Sequence, residues 1–286
     1  MCDTAVRQVD VADITAAVAS MCTEANYDLP ADVCAALGAA RASEASPTGR
    51  AVLGQLIENA DIAREDRVPI CQDTGLAVLF VELGQDVHLV GGDFEEALHE
   101  GVRRGYTDGY LRKSSVMQPG GERINTKDNT PAIIHTRIVP GDQLWIALMP
   151  KGGGAENMSS LNMLKPAQGA EGIVNAVVDT VSRAGSNPCP PVVIGVGIGG
   201  TIDRVTLLAK RALLREIGSQ HVDPRLAAME SEMLARINAL GIGPQGLGGS
   251  TTALAVFIEE APSHLASMPV AVNVQCHAQR HKTVTI

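Results

Sequence analysis

Aromatic residues are scarce in this sequence: one Trp, three Tyr and three Phe make up 2% of 286 residues. Successive bases of a single strand therefore have almost nothing to stack on. Positive charge is short as well, with 23 Lys and Arg against 32 Asp and Glu and a formal net charge of −9. Non-specific affinity for nucleic acid comes from cations clustered along a phosphate backbone, so neither DNA nor RNA is an expected partner. No 18 consecutive residues are apolar, and Met1-Cys2-Asp3-Thr4 opens without a basic stretch leading into an apolar one. A spanning helix and an ordinary secretory signal are not expected, and the chain reads as soluble and cytoplasmic. No CxxC pair marks a metal site.

What remains is 45% apolar, ample for a buried core built from Ala, Val, Leu and Ile. The first 65 residues carry helical periodicity, with Val11, Ile14, Val18 and Met21 on one face and Val52, Leu53, Leu56 and Ile57 on another. They are expected to form a helical N-terminal cap. Short β-branched runs follow at 76–83, 132–139, 144–149, 192–196, 253–258 and 270–274, interleaved with helical segments near 94–109, 169–184, 201–216 and 223–240. The last has a clear frame: Asp223 as N-cap, Pro224 at the first helical position and Gly241 just past the end. Strands and helices do not alternate strictly, so the predicted fold is α/β with mixed sheets surrounded by helices rather than a doubly wound sheet. No repeat or long linker interrupts 1–286, which reads as a single unit.

Six cysteines in a reducing compartment read as ligands, reactive thiols or core residues before disulfides. Cys22 and Cys34 lie in Ala-rich helical stretches and are assigned to the core. Cys71, Cys189 and Cys276 sit instead in polar, turn-forming settings: Pro69-Ile70-Cys71-Gln72-Asp73-Thr74-Gly75, Asn187-Pro188-Cys189-Pro190-Pro191 and Gln275-Cys276-His277. Three thiolates leave one iron of a cubane cluster without a protein ligand, and an open iron is a Lewis acid suited to dehydration chemistry. A structural Cys189 at a strand entrance is the competing reading.

Other constellations carry two readings each. Lys151-Gly152-Gly153-Gly154-Ala155-Glu156-Asn157, between a strand and a helix-like segment, suits an anion at a helix N-terminus, or is a tight turn beside a surface lysine. Gly195-Val196-Gly197-Ile198-Gly199-Gly200 matches a dinucleotide fingerprint but lacks the following strand that ends in an acidic residue, so its glycines are read as close backbone approach near Cys189. Arg112 and the run Arg123–Thr130 suit carboxylate binding or a solvated loop. Asp73 is an acid or base beside Cys71 or an Asx-turn residue, and His264 a proton carrier or a structural histidine.

Taken in order, these segments resemble the class I fumarate hydratases, iron-sulfur hydro-lyases. The matching motifs, which also include Asn125-Thr126-Lys127-Asp128-Asn129-Thr130-Pro131, Gly243-Pro244-Gln245-Gly246-Leu247-Gly248-Gly249 and Ala261-Pro262-Ser263-His264, run from about residue 10 to residue 282. The resemblance implies that Cys71, Cys189 and Cys276 bind a 4Fe-4S cluster. It further implies that Gln72, Arg112 and Gly154 contact substrate, and that Asp73 and His264 are candidate proton-transfer groups. Single-chain members continue into a further domain, whereas this sequence stops ten residues after Cys276. It therefore resembles the alpha subunit of a two-subunit form, expected to work with a beta subunit in a hetero-oligomer such as α2β2. L-tartrate dehydratase alpha subunits share the cysteine framework. Lys151, Ala155-Glu156-Asn157 and His264-Leu265-Ala266-Ser267 resemble the fumarase version, making fumarate the expected substrate. L-tartrate, mesaconate and a non-catalytic metal-binding scaffold are the alternatives.

Overall fold

The computed structural model describes residues 6–286; residues 1–5, with Cys2 and the opening segment read above, lie outside the described residues. Along the chain the elements are β1 (Arg7–Asp10), α1 (Val11–Tyr27), α2 (Ala31–Ser43), α3 (Pro47–Asp66), β2 (Leu76–Gly84), β3 (Val87–Val90), α4 (Phe94–Asp108), β4 (Val116–Met117), β5 (Ile124–Asn125), β6 (Ile133–Val139) and β7 (Leu144–Lys151). They continue with α5 (Gly153–Glu156), β8 (Ser160–Leu164), α6 (Gly169–Ala184), β9 (Val192–Gly199), α7 (Ile202–Ala212), α8 (Pro224–Asn238), β10 (Ala253–Ala261), β11 (Met268–Gln275) and β12 (Lys282–Thr285). The fold is α/β with mixed sheets, as the sequence predicts.

The elements group into two compact units. One takes the stretch ending at Leu29 together with Ile62–Gly152 and Arg280–Ile286; the other takes Pro30–Asp61 and Gly153–Gln279. Neither is one continuous stretch, which is why no linker shows in the sequence. The expected helices of the first 65 residues are present but do not form a single cap. β1 precedes them, α1 belongs to the first unit, and α2 with most of α3 belongs to the second.

In the first unit a four-stranded sheet runs β12-β7-β2-β6, with β2 antiparallel to β7 and parallel to β6. Asp10 and Asp93 cap α1 and α4 by accepting from the Ala12 and Glu96 N–H groups at 2.8 Å. The predicted face of α1, Val11, Ile14, Val18 and Met21, is buried with Leu98 and Val102 of α4 and with Ala77, Leu79 and Val81 of β2. Each such side chain contributes about 1.5–3 kcal/mol by leaving water. α1 and α4 approach so closely that a Cβ on Gly105 would stand 2.6 Å from Cys22 Cβ. Cys22 is thus a small residue at a helix crossing, as read from the sequence, and burial pushes its thiol pKa up. Cys34 is only half-buried.

The second unit holds a sheet ordered β10-β9-β11-β8, in which β9 runs parallel to β10 and antiparallel to β11. β9 is buried along its whole length, and its period-two alternation separates two faces. Val192, Ile194, Val196 and Ile198 pack in one core with α6 and α8. On the other face, a Cβ on Gly195 or Gly197 would meet the carbonyl oxygen of Ala209 or Val205 at 2.0 or 2.1 Å. The glycines serve close approach, as expected, but the backbone they meet is α7 rather than the Cys189 segment. Close packing of a helix on the strand accounts for glycines at these two positions. It also explains why the strand continues to Gly199, beyond the predicted end at Val196.

α8 has the predicted frame: Asp223 accepts from Arg225 N–H at 2.8 Å, Pro224 opens the helix, and Gly241 has φ +68°. No helix among the described residues is long and apolar enough to cross a membrane. The substitution Gly197→Ala is expected to push α7 off β9 and destabilise the protein by roughly 3 kcal/mol, the upper range for overpacking. Urea unfolding monitored by circular dichroism measures it.

Candidate active site

In the first unit, residues 67–75 leave α3 and enter β2 as a turn held from several sides. Cys71 Sγ accepts from the Asp73 N–H at 3.4 Å, while Asp73 Oδ1 accepts from the Gly75 N–H at 3.0 Å. The second bond is the Asx turn weighed from the sequence. Tyr106, fully buried, donates its hydroxyl to the Thr74 and Gly75 carbonyls at 2.8 and 3.1 Å. Burial pushes that hydroxyl's pKa up, so it stays protonated and keeps donating. Asn129 Nδ2 donates to Gly75 O at 3.1 Å, and Ile70 N–H donates to Asn26 O at 2.9 Å.

Arg112 belongs to the same neighbourhood, since Thr74 Oγ1 donates to its carbonyl at 2.9 Å and its side chain is exposed. Gln72 lies beside Cys71, with the thiol 3.4 Å from its Oε1. Part of the 123–130 run is scaffold rather than clamp: Asn129 is fully buried, with Oδ1 accepting from the Ser114 and Ser115 N–H groups. Asp128 is also engaged. Burial raises its pKa, but hydrogen bonds from Thr130 and Arg103 outweigh that and hold it below the ordinary value.

In the second unit the Cys189 and Cys276 segments come together. β9 and β11 are antiparallel, so the loop entering β9 and the loop leaving β11 share one end of the sheet. Cys189 O faces His277, whose N–H and Nδ1 lie at 3.3 and 3.1 Å. Gln245 completes the corner, donating its N–H and Nε2 to Pro190 O at 2.7 and 2.9 Å, with Nε2 3.2 Å from His277 Nδ1. Cys189 is exposed and has φ +56°, a region that costs a non-glycine residue about 1–3 kcal/mol. An exposed cysteine in such a turn does not fill the core, unlike Cys22.

Gly154 lies near this corner; a Cβ on it would be 3.8 Å from Asn187 O. The helix expected after the glycines is a single turn, Gly153–Glu156, so the full dipole of a long helix is missing there. Lys210 and Asn273 hold Glu156 at 2.5 and 3.0 Å. Lys151, in the first unit, is 3% exposed at the end of β7 and is not a surface lysine.

His264 is the site residue that the structure sets apart. β10 runs parallel to β9, so the loop after β10 emerges at the far end of the sheet from Cys189, a strand length of roughly 20 Å away. There His264 is exposed, and its Nδ1 accepts from Ala266 N–H at 3.2 Å.

Sequence reasoning missed four side chains around these corners. His277 and Gln245 were visible as neighbours of recognised motifs, the former directly after Cys276. Arg280 and Glu44 carry no local signal. Glu44 is 1% exposed and accepts from the N–H groups of Ser46, Ser250 and Thr251 at 2.8–2.9 Å, pinning the loop that follows Gln245.

The donor set fits a thiolate-bound cluster in kind. Cys71, Cys189 and Cys276 form no disulfide and are half-buried or exposed, and soft sulfur donors suit iron-sulfur centres. Among the described residues no three His, Cys, Asp or Glu side chains stand together as ligands for one metal ion. A multi-iron cluster spreads its ligands more widely than a single ion does.

The sequence is similar over nearly its whole length to a known family and to proteins of that chemistry. The family model described as fumarate hydratase (fumerase) matches residues 15–285. A Methanocaldococcus jannaschii protein provisionally named L(+)-tartrate dehydratase subunit alpha is 44% identical over 93% of this chain and 95% of its own length. The L(+)-tartrate dehydratase alpha subunits of Escherichia coli K12 and Shigella boydii are each 32% identical over 98% of this chain and 93% of theirs.

The Glu44 carboxylate generates a pH test. Burial raises its pKa, but the hydrogen bonds from Ser46, Ser250 and Thr251 win and hold it at about 2, against an ordinary 4.5. A depressed value contributes stability that is complete above pH 4.5 and lost as pH falls through about 2, worth about 3 kcal/mol. Glu44→Gln is expected to lose most of that at neutral pH and to flatten the acid limb between those values. Urea unfolding at a series of pH values reads both.

Proposed function

Because the chain belongs to the fumarate hydratase (fumerase) family, we propose that it is the alpha subunit of an iron-sulfur hydro-lyase. Residues 1–286 act as one catalytic-type alpha domain, and a separate beta subunit completes the enzyme in a cytoplasmic hetero-oligomer such as α2β2. The alpha-subunit names of its relatives support that division of labour. The observation that carries most weight is the pairing of Cys189 and Cys276 through His277, two distant cysteines held in one corner by a strained turn.

Cys71, Cys189 and Cys276 hold a 4Fe-4S cluster, which when bound supplies an iron without a protein ligand as Lewis acid for the substrate hydroxyl. The remaining work falls to the chain's own residues. Arg112 and the backbone at Gly154 bind carboxylates, the former with a guanidinium fork shaped for them. Gln72 contributes a further polar contact to the substrate. Asp73 moves the carbon-bound proton from its place beside Cys71. His264, at the far end of the sheet from Cys189, serves the site of a neighbouring copy.

The reaction is the reversible addition of water to fumarate, one carbon taking hydroxide and the other a proton to give (S)-malate. Lys151, Ala155-Glu156-Asn157 and the His264–Ser267 segment support this substrate. The names of the relatives favour a second reading, in which L-tartrate loses one water to give oxaloacetate.

Coexpression with the beta subunit and anaerobic purification should yield a coloured complex containing iron and sulfide, active on fumarate by ultraviolet absorbance. A faster rate on L-tartrate moves the assignment to the second reading. Air should abolish activity, and ferrous iron with thiol should restore it. Asp73→Asn is expected to lower kcat by about 10²–10⁴-fold, the usual worth of an acid or base. A colourless zinc protein, or full activity from the alpha chain alone, sinks the proposal.

A further inference from the structure

Arg280 is a buried cation without an ion-pair partner among the described residues. It is 3% exposed, and its Nη2 donates at 2.5 Å to the backbone carbonyl of Asp73. Nε and Nη1, also buried, find no hydrogen-bond partner among the described residues. Taking a guanidinium out of water costs several kcal/mol unless charge and hydrogen bonds compensate. One carbonyl does not compensate it. Arg280 is also close enough to Tyr106 that its charge is felt at that hydroxyl, as is the charge of Asp73.

What Arg280 holds is informative. The peptide unit on one side of Asp73 donates its N–H to Cys71 Sγ, and the carbonyl on the other side accepts from Arg280. Fixing that carbonyl, together with the Asx turn from Asp73 Oδ1 to the Gly75 N–H, restrains the backbone on both sides of Asp73 and with it the direction from which its N–H reaches the sulfur. Hydrogen bonds to ligand sulfurs and nearby charge are two of the terms that set a cluster's reduction potential.

We propose that Arg280 is the positioning residue of the Cys71 loop: through the Asp73 carbonyl it aims the Asp73 N–H at the Cys71 sulfur, and its buried charge balances the anionic group that this sulfur ligates. The proposal rests on the reading of Cys71 as a cluster ligand. It assigns Arg280 no contact with substrate.

The test uses the anaerobically purified two-subunit complex and compares the unsubstituted protein with Arg280→Gln and Arg280→Lys. The readouts are the rate of iron release to a ferrous chelator, the reduction potential of the cluster and the melting temperature. Removing the charge in Arg280→Gln is expected to shift the potential negative, because the reduced form loses a balancing cation. Iron retention should weaken by about 10–100-fold, as when an outer-sphere partner is lost. Arg280→Lys keeps the charge but not the fork, so its potential should stay near that of the unsubstituted protein while iron release still accelerates.

Variants with a lower melting temperature but unchanged potential and iron retention show a purely structural role and overturn the proposal. Should Arg280→Gln not accumulate, Arg280→Lys decides: faster iron release at an unchanged potential supports the proposal, and unchanged release overturns it. An unsubstituted complex without iron and sulfide overturns the cluster reading itself, a result distinguishable from loaded but indifferent variants.

Discussion

Asp73, with the two peptide units that flank it, is the constraint on which the first unit's chemistry depends. Its N–H reaches the Cys71 sulfur, its carbonyl is taken by Arg280, and its carboxylate closes a turn onto Gly75. Thr74 and Gly75 are in turn fastened by Tyr106 and Asn129, both fully buried and both rooted elsewhere in the unit. A cysteine, an amide and a carboxylate are thereby presented on a segment that cannot rearrange without breaking several buried hydrogen bonds. Such a turn is suited to hold a ligand at a set distance and angle, which a solvated loop is not.

Strand direction plays the corresponding role in the second unit. Cys189 precedes β9 and Cys276 follows β11, and because these strands are antiparallel their outer ends coincide. The parallel pairing of β10 with β9 carries His264 to the opposite end. Two pairings in one sheet thus unite two cysteines and exclude a histidine. The glycines of β9 make this possible at a distance, since they let α7 settle on the strand and keep it central in the sheet.

Much of the secondary structure was legible because it rests on local rules. α6 falls on the predicted residues, and α4 and α8 are bounded by side-chain caps that the sequence displays. Strands were legible where apolar runs were uninterrupted. β8, reading Ser-Leu-Asn-Met-Leu, and β12, reading Lys-Thr-Val-Thr, were not, because their pairing partners rather than their own composition make them strands. The three turn cysteines stood out for their polar settings, and those settings are what the structure contains. Lys151 illustrates the limit: beside three glycines it resembles a surface residue, yet the chain buries it at the end of β7.

By itself the sequence determined the class of fold, most helices, and the turn settings of Cys71, Cys189 and Cys276, though not the half-burial of Cys34, because propensity, capping and periodicity act over a few residues and are written where they act. Only the tertiary structure decided that Arg280 holds Asp73, that Glu44 pins the loop after Gln245, that the GxGxxG glycines face α7, and that His264 stands apart from Cys189. Those outcomes depend on strand direction and on burial of charge between residues up to 207 positions apart. No local pattern encodes a contact whose energy exists only once both partners have left water.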